Sequence, residues 1–314
     1  MNSIEKWEEI EKENLQVKNL LVSFSGGETS AFMAQWLNNH YEEYGYENIV
    51  FVFANTGLEN EQTLEFADRC DKFFKLNLQW IEADVIHEHK KGTRYYRTDF
   101  ENASRKGEPF ENVISKYGIP NQANPNCTRE LKGAPISAFG KDWFDGEKYD
   151  TAIGIRIDEI DRMNPQAIKK GFIYPLINSK MIPTKKPMVN FYWRSMPFRL
   201  ELKGYQGNCL TCWKKADKKL YQIAKENPKA FDFMDKMERK YGNFFPKQRI
   251  DKWTKEGKKL PENITFFRDN RSAQDILTEA KNWNGIIHDD SQDYNWQIDL
   301  LGGESCEVFS ECGE

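Results

Sequence analysis

Two sets of residues in this chain have the types and spacing to do chemistry. The first is Ser25-Gly26-Gly27-Glu28-Thr29-Ser30, a run of hydroxyls around two glycines. Glycine permits the positive φ of a tight turn and lets backbone approach an oxyanion closely. If a helix follows, several N–H groups stay unpaired and point one way, with the positive end of the helix dipole behind them. That arrangement suits a phosphate, and the hydroxyls of Ser25, Thr29 and Ser30 add donors. It is not the Walker pattern, which needs Gly-Lys-Ser/Thr after four intervening residues. The second set is cysteine. Cys209-Leu-Thr-Cys212 can put two thiolates on one metal, and Cys127, Cys306 and Cys312 lie elsewhere in the chain with Cys70. Cysteines at short spacing in a reducing compartment suggest metal or redox chemistry rather than structural disulfides. His87-Glu-His89 carries a fainter suggestion of zinc and reads first as an exposed loop.

To hold the first set, a strand, a turn and a helix must follow one another. Asn19 to Ser23 reads as a buried strand, Ser30 to Asn39 as a helix and Asn48 to Ala54 as a second buried strand. Glu61 to Phe74 is an amphipathic helix with Leu64, Ala67, Cys70 and Phe74 on one side, and Leu78 to Ile81 is a third strand. Such alternation predicts crossover helices on a parallel sheet, an α/β Rossmann-like fold. Ligands of these sheets sit at the carboxyl ends of strands. The serine-glycine turn and Asn55-Thr56-Gly57 both fall there. From Asp84 to about Pro125 the pattern breaks, with one helix near Phe110 to Lys116. Cys127 opens a helix to about Phe139, and strands are predicted over Tyr149 to Ile155 and Gly171 to Leu176. Beyond Pro183 no strand alternation is visible, and helices are expected at Ala216 to Glu226, Pro228 to Tyr241 and Ser272 to Asn282. This pattern divides the chain into a nucleotide-binding α/β domain over 1–180 and a mainly helical or irregular region over 181–314.

Composition bounds the alternatives. With 314 residues, 39% hydrophobic and 30% charged, the chain can bury a sizeable core. A formal net charge of −4 argues against a protein that coats nucleic acid nonspecifically. Lys and Arg are dense between Lys185 and Lys219, beside Tyr192, Trp193, Tyr205 and Trp213. This stretch reads as a solvated basic face, with a nucleic-acid groove as the alternative. No apolar run has the length of a membrane span. The first residues are acidic and lack the apolar centre of a signal peptide, so a cytoplasmic location is expected.

Six segments together resemble the PAPS/APS reductase (sulfonucleotide reductase) family of the PP-loop superfamily. Ser25-Gly26-Gly27-Glu28-Thr29-Ser30 is similar to the superfamily signature Ser-Gly-Gly-x-Asp/Thr-Ser. Asn55-Thr56-Gly57-x-Glu59 resembles the loop after the second strand, which usually begins Asp-Thr-Gly. Cys127-x4-Lys132-x2-Pro135 resembles Cys-Cys-x-x-Arg-Lys-x-x-Pro, with Thr128 in place of the second cysteine. Gly154-Ile-Arg156-Ile-Asp-Glu159-Ile-Asp-Arg162 resembles Gly-x-Arg-x-x-Gln/Glu-x-x-Arg. Cys209-x-x-Cys212 and Glu311-Cys312-Gly313 resemble the downstream Cys-x-x-Cys and the terminal Glu-Cys-Gly.

The resemblance implies an adenine nucleotide held by Ser25, Gly26, Gly27, Thr29, Ser30, Asn55, Thr56 and Gly57, with Arg156 and Arg162 on its anionic end. A guanidinium fork can hold two phosphate or sulfate oxygens at once. It implies Cys312 as the nucleophile of an adenosine phosphosulfate reductase, with a thioredoxin-like reductant, in sulfur metabolism. For the metal three outcomes stand open. A [4Fe–4S] cluster could rest on Cys127, Cys209 and Cys212 with one open iron, Cys306 could supply a fourth thiolate, or the set could bind zinc. Ordinary thiols are the plain alternative. Two other functions share the fold. One is an ATP pyrophosphatase with Mg2+ that adenylates or delivers sulfur to nucleic acid. The other is a nucleotide-binding module without catalysis.

Overall fold

A computed structural model describes residues 17–294 apart from residues 89, 90, 165, 167, 208 and 258. The buried apolar run Asn19–Phe24 forms β1, and Glu28–His40 forms α1 directly after the turn. Asn48–Asn55 (β2), Glu61–Phe74 (α2) and Gln79–Val85 (β3) repeat the pattern. Then come Thr93–Thr98 (β4), Glu108–Tyr117 (α3), Ala134–Trp143 (α4), Tyr149–Ala152 (β5) and Phe172–Ile173 (β6). The rest is helical: Lys186–Ser195 (α5), Asp217–Glu226 (α6), Asp232–Tyr241 (α7), Lys247–Lys255 (α8) and Ala273–Asn282 (α9).

The strands make one sheet in the order β4-β3-β2-β1-β5-β6. All neighbouring pairs are parallel except β3 with β4. The expected α/β Rossmann-like fold is present, and the sheet is mixed rather than wholly parallel. The segment β4, Thr-Arg-Tyr-Tyr-Arg-Thr, has no apolar alternation because it is an edge strand, where charge is tolerated and discourages further pairing. Strand β3 runs past the predicted end at Ile81, because buried Glu82 is fully hydrogen-bonded within it. The strand expected over Gly171 to Leu176 shrinks to two residues, with Pro175, which lacks a donor, close behind. Helices α5 and α8 were not foreseen in the sequence, and α5 begins with Pro187 in its first turn.

Both faces of the sheet are covered, as parallel sheets require. On one face, Leu20, Val22, Phe24, Phe51 and Phe53 pack against α1, α2 and Trp193 of α5. On the other, Leu21, Val50, Val52 and Ile81 meet Phe139 and Phe144 from α4 and its end. A further core joins Ala83 and Val85 of β3 to α3, α6, α7 and α9. This core draws on chain from both sides of residue 180. Among the described residues no helix is long and apolar enough to cross a membrane.

Candidate functional site

The turn between β1 and α1 has the form its residues imply. Gly26 takes φ +78, and a Cβ there would lie 2.5 Å from Thr63 Cγ2 of α2, so only glycine fits. Gly27 caps α1 with extended backbone and gives no side-chain hydrogen bond to it. The donors of the first turn thus have no side-chain cap from within the turn. Ser30 Oγ accepts from Ser25 N at 3.1 Å and Ser25 Oγ at 2.9 Å and donates to Gly27 O at 2.9 Å. These bonds fold the turn back on itself. Ser25 and Ser30 hydroxyls are thus engaged within it, so the backbone N–H groups and Thr29 are its outward-facing donors.

Glu28 does not face a ligand. Arg199 donates to both of its oxygens, at 3.0 and 3.1 Å, Leu200 N reaches it at 3.3 Å, and Trp193 Nε1 donates to its backbone carbonyl at 2.9 Å. Burial pushes the Glu28 carboxyl up, and Arg199 opposes that shift. Arg199 also donates to Ser291 O at 2.9 Å and Tyr294 Oη at 3.2 Å. One guanidinium therefore joins the start of α1 to the last described residues of the chain.

The arginines predicted after β5 lie where the turn can use them. Gly154 passes Ser30 so closely that a Cβ would stand 3.3 Å from its Cα. Arg156 follows and donates to Thr29 Oγ1 at 2.8 Å. It is also paired with Asp158 at 3.0 Å and Glu159 at 3.2 Å, and Arg162 is paired with Glu159 at 2.6 Å. Arg156 is thus brought onto the phosphate turn with carboxylates at its back. Arg162 joins the cluster through Glu159.

The loop after β2 supplies the second wall. Asn55 Oδ1 accepts from Gly57 N at 3.1 Å, and Thr56 donates to Glu59 through N and Oγ1 at 3.0 and 2.9 Å. Lys132 lies 3.9 Å from the same buried Glu59. Thr56 Oγ1 and Cys209 Sγ are 3.5 Å apart, which carries the Cys209–Cys212 turn to this loop. Cys127 is close enough to feel the charge of Cys209, and burial raises both thiols, Cys209 up to about 12. Glu59, Glu82 and Arg199 went unmarked in the sequence; Glu59 alone stood inside a quoted motif.

The cysteines converge without forming a metal nest. Among the described residues no three His, Cys, Asp or Glu side chains are set to hold one ion. Thr128, beside Cys127, offers a hydroxyl held by Lys214 at 3.3 Å where a second thiol would complete a pair. The described thiols do not by themselves fit a cluster or zinc. Cys306 and Cys312 lie outside the described residues, as does His89 of the fainter zinc suggestion.

The basic stretch is a solvated face only in part: Lys185, Arg194 and Lys203 are exposed, while others are engaged inside. Besides Arg199 on Glu28, Lys203 is spent on Glu226 at 2.7 Å. Lys215 is buried and donates to the carbonyls of Tyr205 and Gly207. Trp193 and Tyr205 are core residues. Lys215 sits at loop carbonyls because this region, short of strands, must satisfy its backbone with side chains.

Similarity to known proteins agrees with this geometry. Residues 19–123 match the family model described as the phosphoadenosine phosphosulfate reductase domain, a span that includes the turn, the Asn55 loop and β1 to β4. The chain is 31% identical over 209 residues to the uncharacterized nin region protein ORF290 of Escherichia phage lambda, covering 66% of this chain and 69% of that protein. On the turn, the loop and these matches, the chain belongs to the phosphoadenosine phosphosulfate reductase domain family of PP-loop proteins.

Proposed function

We propose that the chain binds an adenosine phosphosulfate at the Ser25–Ser30 turn and reduces it through Cys312. The observation that carries the reading is the meeting of the turn, its Thr29-bound Arg156 and the Asn55–Gly57 loop at one sheet edge. In this reading the backbone donors of the turn hold the phosphate, and Arg156 faces the sulfate. The Cys312 thiolate attacks the sulfur, so that an S–S bond forms and the O–S bond breaks. AMP or its 3′-phosphorylated form leaves, and Cys312 carries the sulfonate. A dithiol reductant of the thioredoxin type then attacks the Cys312 sulfur and releases sulfite. Its second thiol closes a disulfide and returns Cys312 to the thiol. Recombinant protein given APS or PAPS with thioredoxin should release sulfite, and Cys312→Ser should abolish it. No sulfite, together with an unchanged Cys312→Ser variant, rejects the reading.

Asp158 and Glu159 beside Arg156 favour one second reading. Carboxylates there suit a ligand that arrives with a cation, such as ATP with Mg2+, better than a bare sulfonucleotide. The reaction would then be cleavage between the α and β phosphates, with nucleic acid as acceptor. Pyrophosphate release from ATP, stimulated by DNA or tRNA, identifies it. Tight nucleotide binding without any turnover would instead leave a non-catalytic module.

A further inference from the structure

We propose that Glu82 is a positioning residue for the nucleotide loop, acting through Asn55; this rests on the nucleotide-binding reading above. Glu82 and Asn55 face each other across the β2–β3 ladder, and both are almost wholly buried, at 1% and 0% exposure. Among the described residues no cation is bonded to Glu82. Instead it collects four donors. Asn55 Nδ2 at 2.6 Å and Ser104 N at 2.6 Å share Oε1, while Ser104 Oγ at 2.7 Å and Tyr96 Oη share Oε2. A buried carboxylate is tolerated only when so satisfied, and an apolar side chain here would extend the buried strand without that burden.

What the carboxylate adds is direction. It only accepts, so Asn55 must turn its NH2 toward Glu82, where Ser104 O takes a second bond at 2.9 Å. The Asn55 carbonyl is then forced the other way, onto Gly57 N at 3.1 Å. Gly57 holds φ +80, and its carbonyl in turn accepts from Gly107 N at 2.9 Å. The backbone of Thr56 and Gly57 is thereby fixed at the mouth of the site. Glu82 never touches the mouth. It sets the loop by fixing which end of one amide faces which neighbour.

Calorimetric titration of the full chain with AMP, ATP and adenosine 5′-phosphosulfate tests this, with thermal melting alongside. Glu82→Leu should weaken nucleotide binding about tenfold or more in folded protein, the effect of one buried polar group left unpaired. Glu82→Gln keeps an acceptor for Asn55 and Ser104 N and should bind within about threefold of the parent. Asn55→Asp sets two carboxylates together and should again lose about tenfold. Should Glu82→Leu fail to fold, Tyr96→Phe at the exposed edge decides, with an expected loss of about threefold. Parent-like binding by folded Glu82→Leu, or by Asn55→Asp and Tyr96→Phe together, overturns the proposal and leaves the nucleotide reading intact. A parent chain that binds none of the three nucleotides overturns the nucleotide reading, and the positioning role falls with it.

Discussion

After β1, which lies inside the sheet between β2 and β5, the Ser25–Ser30 turn is made of backbone. Its glycines, its strand and the start of α1 determine its shape, and close neighbours such as Thr63 and Gly154 lock it. Beside the loop after β2, Cys127, Cys209 and Cys212 are carried by short helical turns and loops; Cys212 N donates to Cys209 O at 3.1 Å, Cys209 touches Thr56 and Cys127 touches Trp213. The first region is built to bind by geometry it already has. The second holds thiols pushed up by burial, in contact with the loop that borders the first. A backbone-built site tolerates few substitutions, whereas a site built from side chains on loops can exchange them.

The largest expected effect breaks the first region. Gly26→Val strains a left-handed φ and drives a side chain into Thr63 and Phe53, at a cost of about 4 kcal/mol. Denaturant unfolding measures it, and nucleotide binding should vanish. Arg199→Met follows, because Glu28 is left as a buried carboxylate without its partner. A loss of about 3 kcal/mol is expected. Glu28→Gln combined with Arg199→Met should recover most of it.

A pH effect follows in the helical region, and burial raises Asp150 on β5 in the same direction, up to about 6. Burial pushes Glu238 on α7 up to about 7, although Phe266 N and Ala273 N both donate to it. The folded state holds this proton more tightly than the unfolded chain. Stability from this group is therefore full below about 4.5 and falls as pH rises through about 7. Glu238→Gln should remove that slope, on the order of 2 kcal/mol between pH 5 and 8 in denaturant unfolding. A slope unchanged by the variant would assign it to other groups. The smallest effect belongs to the thiols. Cys209→Ser should change stability by less than about 1 kcal/mol and leave nucleotide affinity unaltered in titration. A loss as large as that of Gly26→Val would erase the contrast between the two regions.

The two regions also differed in how much of them could be read from the sequence. The strand, glycine turn and helix start were legible, but the bonding of Ser25 to Ser30 inside the turn was not. Helix α2 was placed at its observed bounds because its apolar face repeats at helical spacing. Strand β4 was not legible, since an edge strand needs no apolar pattern, and α5 hid within a basic, aromatic run that reads as surface. Arg156 meets the turn at Thr29, and it also pairs with Asp158 and Glu159, whose charges beside it were visible in the sequence. Glu82 and Arg199 carried no signal at all. Each acts across the fold, on Asn55 and on Glu28, and long-range partners of this kind have no spacing to betray them.

Arg199 has one further consequence. Its guanidinium serves two clients, the carboxylate that starts α1 and the Ser291–Tyr294 segment from which the chain runs on to Cys312. Any ligand that tightens or loosens Glu28 changes the free energy of seating that segment. By reciprocity, the seating of the segment changes ligand affinity by the same factor. Binding at the phosphate turn and the seating of Ser291–Tyr294 are then two readings of a single equilibrium.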